Sequence, residues 1–124
     1  MSYFVKPLVT DFMAETDLSG NAYMPVRIAG GLLVAAANKT SAIIGTLTAD
    51  VEDGSSTAAS IPVAVGGIAK VKVGTGGATQ NTFGTAVASG WMDAATGEYY
   101  GCLFLETGAV GAIIPAIIVQ GQLD

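Results

Sequence analysis

Glycines and short polar clusters interrupt the chain every few residues, and this spacing limits what it can fold into more than any other feature. Breaks fall at Gly20-Asn21, Gly30-Gly31, Asn38-Lys39-Thr40-Ser41, Asp53-Gly54-Ser55-Ser56, Gly66-Gly67, Gly74 to Gly77, Gly90, Gly97 and Gly108. Glycine and small polar residues favour turns, so the segments between them are short. No window sustains an amphipathic helical pattern with caps at both ends, and the alanine-rich Leu32 to Ala37 follows directly on two glycines. The expectation is an all-β fold, a small β-barrel or sandwich of short strands.

The clearest strand is Ile68 to Val73, where Ala69, Val71 and Val73 point one way and Lys70 and Lys72 the other. Ile61 to Val65 alternates too, and Gly66-Gly67 between them predicts a two-residue hairpin. Pro62 lacks a donor and is expected near a strand start or at an edge. Further strands are expected in Tyr23–Ala29, Leu32–Ala36, Ala42–Ala49, Phe83–Ser89, Tyr99–Glu106 and Ala112–Gln120. Residues 1–22 read as an extended N-terminal arm, rich in aromatic and acidic residues, ahead of a β-barrel domain at 23–124. The alternative is that the arm is simply the first strand of the fold.

Composition narrows the chemistry. There is no histidine, so the commonest general base and metal ligand are missing. Cys102 is the single cysteine, which excludes an intramolecular disulfide and a thiolate metal cluster. Five basic against ten acidic residues give a net charge of -5, with no electrostatic footprint for nucleic acid or an anionic bilayer. The apolar run Ala109 to Val119 is too short to span a membrane as a helix, and acids at 11, 15 and 17 break any signal-peptide core. The Asn38-Lys39-Thr40 sequon marks a polar turn.

No motif specifies catalysis. Gly74-Thr75-Gly76-Gly77-Ala78-Thr79 lacks the third glycine of a dinucleotide fingerprint and the Gly-Lys-Ser/Thr ending of a phosphate loop, so it reads as a turn. Asp50-Val51-Glu52-Asp53-Gly54 departs from calcium-loop spacing and reads as a solvated turn. Asp93, Glu98 and Glu106 show no sign of converging as an acid/base pair, and Ser55-Ser56 lacks a Ser-x-x-Lys relation to Lys70 or Lys72. No cofactor or metal is implied. Trp91 with Met92, and Tyr99-Tyr100, are the largest side chains in the body of a chain poor in aromatics and are read as core anchors, interface anchors or both, with core packing the default. Ile113 to Val119 runs apolar without alternation, as if one face met the core and the other another subunit.

Two stretches, Ile43-Ile44-Gly45-Thr46-Leu47-Thr48-Ala49-Asp50-Val51-Glu52-Asp53-Gly54 and Ile61 to Val73, resemble the tailed-phage head decoration, or capsid cement, proteins. Asp93 to Gly101, Leu105 to Ala109 and the apolar final strand are similar to that family's closing segment, so the resemblance covers roughly residues 42 to 119. It implies a compact β-barrel that forms a homotrimer on the outer capsid surface of a bacteriophage virion and stabilises contacts between major capsid proteins, without enzyme activity. On this reading Tyr3, Phe4, Pro7 and Phe12 of the arm are the capsid anchors, and Trp91, Ile113, Ile114 and Ile117 the subunit contacts. The alternative is a small β-barrel module that binds carbohydrate or a host surface by stacking on Tyr99 and Tyr100. A carboxylate enzyme is a third class for which no residue pattern speaks.

Overall fold

The computed structural model describes residues 7–14, 18, 20–48 and 60–124. They form ten strands: β1 (Leu8–Met13), β2 (Pro25–Ala29), β3 (Leu32–Ala35), β4 (Gly45–Leu47), β5 (Ser60–Gly66), β6 (Ile68–Lys72), β7 (Phe83–Val87), β8 (Gly90–Asp93), β9 (Tyr99–Phe104) and β10 (Ile113–Gln122). The fold is all-β. Two antiparallel five-stranded sheets take the orders β1-β5-β4-β2-β3 and β6-β10-β9-β7-β8, and neither closes into a barrel. A two-sheet sandwich fits this arrangement. Each sheet nevertheless curls until its outer strands meet at a single parallel bridge, Ala14 to Leu33 in the first and Val73 to Trp91 in the second.

Curling gives each sheet its own interior. Ala14, Leu18, Val26, Leu33, Leu47, Ile61 and Val63 fill the first. Val71, Val73, Ala86, Trp91, Cys102, Phe104, Ile114, Ala116 and Ile118 lead the second, with Ala36, Ile43 and Ala64 joining it from first-sheet segments. Alternation explains the sorting: along β6, Ala69 and Val71 are buried while Lys70 is exposed.

The hairpin expected at Gly66-Gly67 does not form. Strands β5 and β6 lie in different sheets, with Gly67 alone between them at φ 74°. A left-handed φ turns the chain abruptly, and glycine reaches it without a Cβ clash. The link therefore serves as a corner between sheets, and the carbonyl of Gly67 accepts the amide of Ile118 at 2.8 Å. Pro62 lies near the start of β5, as its missing donor requires. In the described part of residues 1–22, β1 is an edge strand paired along its length with β5, Phe12 packs on the first interior, and Ala14 is buried.

The second sheet repeats the first, pairing for pairing. Asp11 opposes Pro62 as Lys70 opposes Pro115. Leu47 opposes Val63 as Phe104 opposes Ala116, and Thr46 opposes Ala64 as Leu103 opposes Ile117. Pro25 opposes Thr46 as Phe83 opposes Leu103. Ile28 opposes Leu33 as Ala86 opposes Trp91, so the two bridging residues, Leu33 and Trp91, are themselves equivalent. Loop hydrogen bonds follow: Ala36 N to Pro25 O matches Ala94 N to Phe83 O, and Leu47 N to Met24 O matches Phe104 N to Thr82 O.

Candidate assembly surface

Trp91 stands where the two sheets join. Its indole N–H donates to the carbonyl of Tyr23 at 3.2 Å and lies 3.3 Å from Thr46 Oγ1, and Thr46 in turn donates to the carbonyl of Met24. Gly101 leaves room for the ring: a Cβ there would lie 2.7 Å from Trp91 and 2.8 Å from Ile43. On the opposite flank Gln120 donates one amide to the carbonyls of both Ile44, at 2.7 Å, and Val65, at 2.8 Å. Lys39 and Glu98 form an ion pair of 2.9 Å near the same seam, where Tyr99 N also donates to Lys39 O.

This geometry corrects the expected subunit contacts. Trp91 is fully buried and Ile114 is 5% exposed, both in the second interior, so neither presents surface to another chain. A ring of that size is the main filling of a small curled sheet, which leaves it nothing to offer outside. Ile113 and Ile117 do face outward, together with Val119, because β10 alternates over an open sheet face. Of the proposed capsid anchors, Pro7 is exposed and Phe12 half-buried, while Tyr3 and Phe4 lie outside the described residues. The acidic turn at residues 50–54 and Ser55-Ser56 also lie outside them.

Sequence reasoning missed the exposed apolar residues of β1, Leu8, Val9 and Met13, which are 63%, 43% and 51% exposed. Their signal was the mixture Leu-Val-Thr-Asp-Phe-Met, apolar on both faces of one short strand. The outward face of the second sheet carries a row across four strands: Phe83, Leu103, Ile117 and Ile68 stand directly opposite one another in turn. Lys72 pairs with Ile113 and Lys70 with Pro115 on the same face. Tyr100 lies against Phe83 with ring centroids 4.2 Å apart, and a Cβ at Gly121 would collide with the Tyr100 ring. Its ring is thus already engaged by neighbours and is not a free stacking platform.

Chemistry among the described residues is sparse. No group of three His, Cys, Asp or Glu gathers to hold a metal ion. Burial pushes the Cys102 thiol far up from its ordinary range, with a smaller opposing effect from the Gly84 backbone, so it stays protonated as a packing group. Asp93 is engaged by Thr79, whose amide and hydroxyl donate to it at 2.8 and 2.6 Å. Glu98 is met by the Ala95 amide and by Lys39. Each of these two carboxylates has a structural partner, and the arrangement holds loops. Neither the family models nor the curated proteins contain a match to this chain.

Proposed function

We propose that this chain is a structural protein that decorates the outside of a phage capsid, working as a homotrimer that bridges neighbouring major capsid proteins. The observation that carries the reading is β1, an edge strand with Leu8, Val9 and Met13 exposed. A protein with 12% charged residues that leaves such a strand uncovered has surface suited to partners more than to solvent. The resemblance of residues 42–119 to capsid cement proteins supplies the identity of the partner. Many symmetric copies would add modest contacts into durable attachment, since one engaged subunit holds the others at high effective concentration.

Cosedimentation with expanded capsids that lack the protein tests this. Wild-type chain is expected in the capsid pellet, and a Val9→Asp, Met13→Asp variant in the supernatant with an unchanged circular-dichroism spectrum. Wild-type chain left in the supernatant overturns the capsid reading, and undiminished binding by the folded variant overturns the role of β1.

A further inference from the structure

The internal repeat compares the same surface in two settings. Across the first sheet runs the row Pro25, Thr46, Ala64, Val9, and across the second its equivalent, Phe83, Leu103, Ile117, Ile68. Pro25, Thr46 and Ala64 are buried. The second sheet lies on the middle of this row, with Trp91 reaching the Thr46 hydroxyl and Ala64 sharing the second interior, while Val9 at its β1 end stays 43% exposed. The equivalent row is uncovered: Ile117 is 37% exposed, and Phe83, Leu103 and Ile68 are half-buried. It also carries larger apolar side chains, Phe for Pro, Leu for Thr and Ile for Ala. A face that receives a neighbour in one half of the molecule thus stands open and more apolar in the other.

Charge says which surface fits it. Beside the open row β6 carries Lys70 and Lys72, two of the five basic residues in a chain of net charge -5. At the position equivalent to Lys70, β1 carries Asp11, exposed between Val9 and Met13. Two copies meeting row to row would set lysines against lysines. We propose that a second copy docks its strand β1 on the row Phe83–Leu103–Ile117–Ile68, with Asp11 against Lys70 and Lys72, so that copies join head to tail. Such a contact uses a different patch on each partner and closes only as a ring. It rests on the reading of the protein as a homo-oligomer and names the surfaces through which copies meet, so that β1 serves capsid attachment by building the oligomer that attaches.

The experiment is analytical ultracentrifugation of the full chain without capsids, at micromolar concentration and low salt. Wild-type chain is expected at a multiple of 12.4 kDa, and the variants Asp11→Lys and Lys70→Asp/Lys72→Asp at the monomer mass with unchanged circular dichroism. The triple variant Asp11→Lys/Lys70→Asp/Lys72→Asp, which exchanges the charges, is expected to regain the wild-type mass. Mild salt should dissociate wild type in the same direction as either reversal. A wild-type monomer overturns the proposal, and so does wild-type mass in either reversed variant or failure of the triple variant to reassemble. Capsid cosedimentation of the wild-type chain is read separately: a chain that pellets with capsids yet runs as a monomer overturns this proposal and leaves the capsid reading standing.

Discussion

Tyr23 and Asn81 occupy equivalent places in the two halves and share a left-handed backbone, at φ 63° and 66°. Equivalence follows from the bonds around them: Met24 N donates to Asn21 O one residue after Tyr23, and Thr82 N to Thr79 O one residue after Asn81. Among the described residues they are the two non-glycines with positive φ. The turn before β2 and β7 therefore demands this conformation whatever side chain is present.

Asn81 tolerates that demand through its short polar side chain, whereas a Cβ without that chemistry is strained there by about 1 kcal/mol. Asn81→Ala is expected to lower stability by about 1 kcal/mol and Asn81→Gly to leave it near wild type. Urea unfolding of the two variants checks this, and equal midpoints would remove backbone strain as the reason for asparagine.

At the joint of the sheets, Gly101→Ala should overpack against Trp91 and Ile43 and cost about 1–3 kcal/mol. Trp91→Phe removes a donor to Tyr23 and Thr46 together with part of the buried ring, with an expected loss of about 2 kcal/mol. Because the two sites touch, the double variant is expected to lose less than the sum of the single losses. Strict additivity in a double-mutant cycle would contradict the contact.

Thr85 is fully buried, and its hydroxyl has no hydrogen-bond partner among the described residues. Replacing it with an isosteric apolar side chain removes the stranded oxygen without opening a cavity. Thr85→Val is expected to raise stability by about 1 kcal/mol, read as a higher melting temperature, while Thr85→Ser should lower it.

For Glu98, burial works against the charged form, but the Ala95 amide and Lys39 outweigh it and hold the carboxyl below its ordinary value of 4.5. A lowered folded pKa stabilises the native state above the unfolded value, and that contribution fades as pH falls through the folded one. Lys39→Ala is expected to cost about 0.5 kcal/mol at pH 7, the scale of a solvent-screened pair. The difference from wild type should vanish in acid well below pH 4.5. A gap between the two that persists at low pH would assign the effect to packing.

Alternation made much of the fold legible. Lys70 and Lys72 against Ala69, Val71 and Val73 placed β6 with its correct inward face, whereas the apolar run Ile113 to Val119, which shows no alternation in residue type, alternates in burial, with Ile114 inward and Ile113 and Ile117 outward. The corner at Gly67 was not legible, since a positive-φ glycine between two strands serves a hairpin or a change of sheet equally well. Trp91 sits in a four-residue strand just after the turn at Ala88-Ser89, too short for a period to register. The repeat was hidden for a related reason. It is written in backbone pairing, and few side chains match beyond Ile61-Pro62 and Ile114-Pro115.

Gly67 carries a kinetic consequence. One residue separates β5 from β6, so the joint around Trp91 forms within a single molecule, at a rate set by chain motion and indifferent to dilution. The outer row of the second sheet has no such tether, and whatever settles there does so at a rate that concentration controls. On the proposed docking, one molecule presents a pair of matched faces, the first occupied at any dilution and the second only when the protein is abundant.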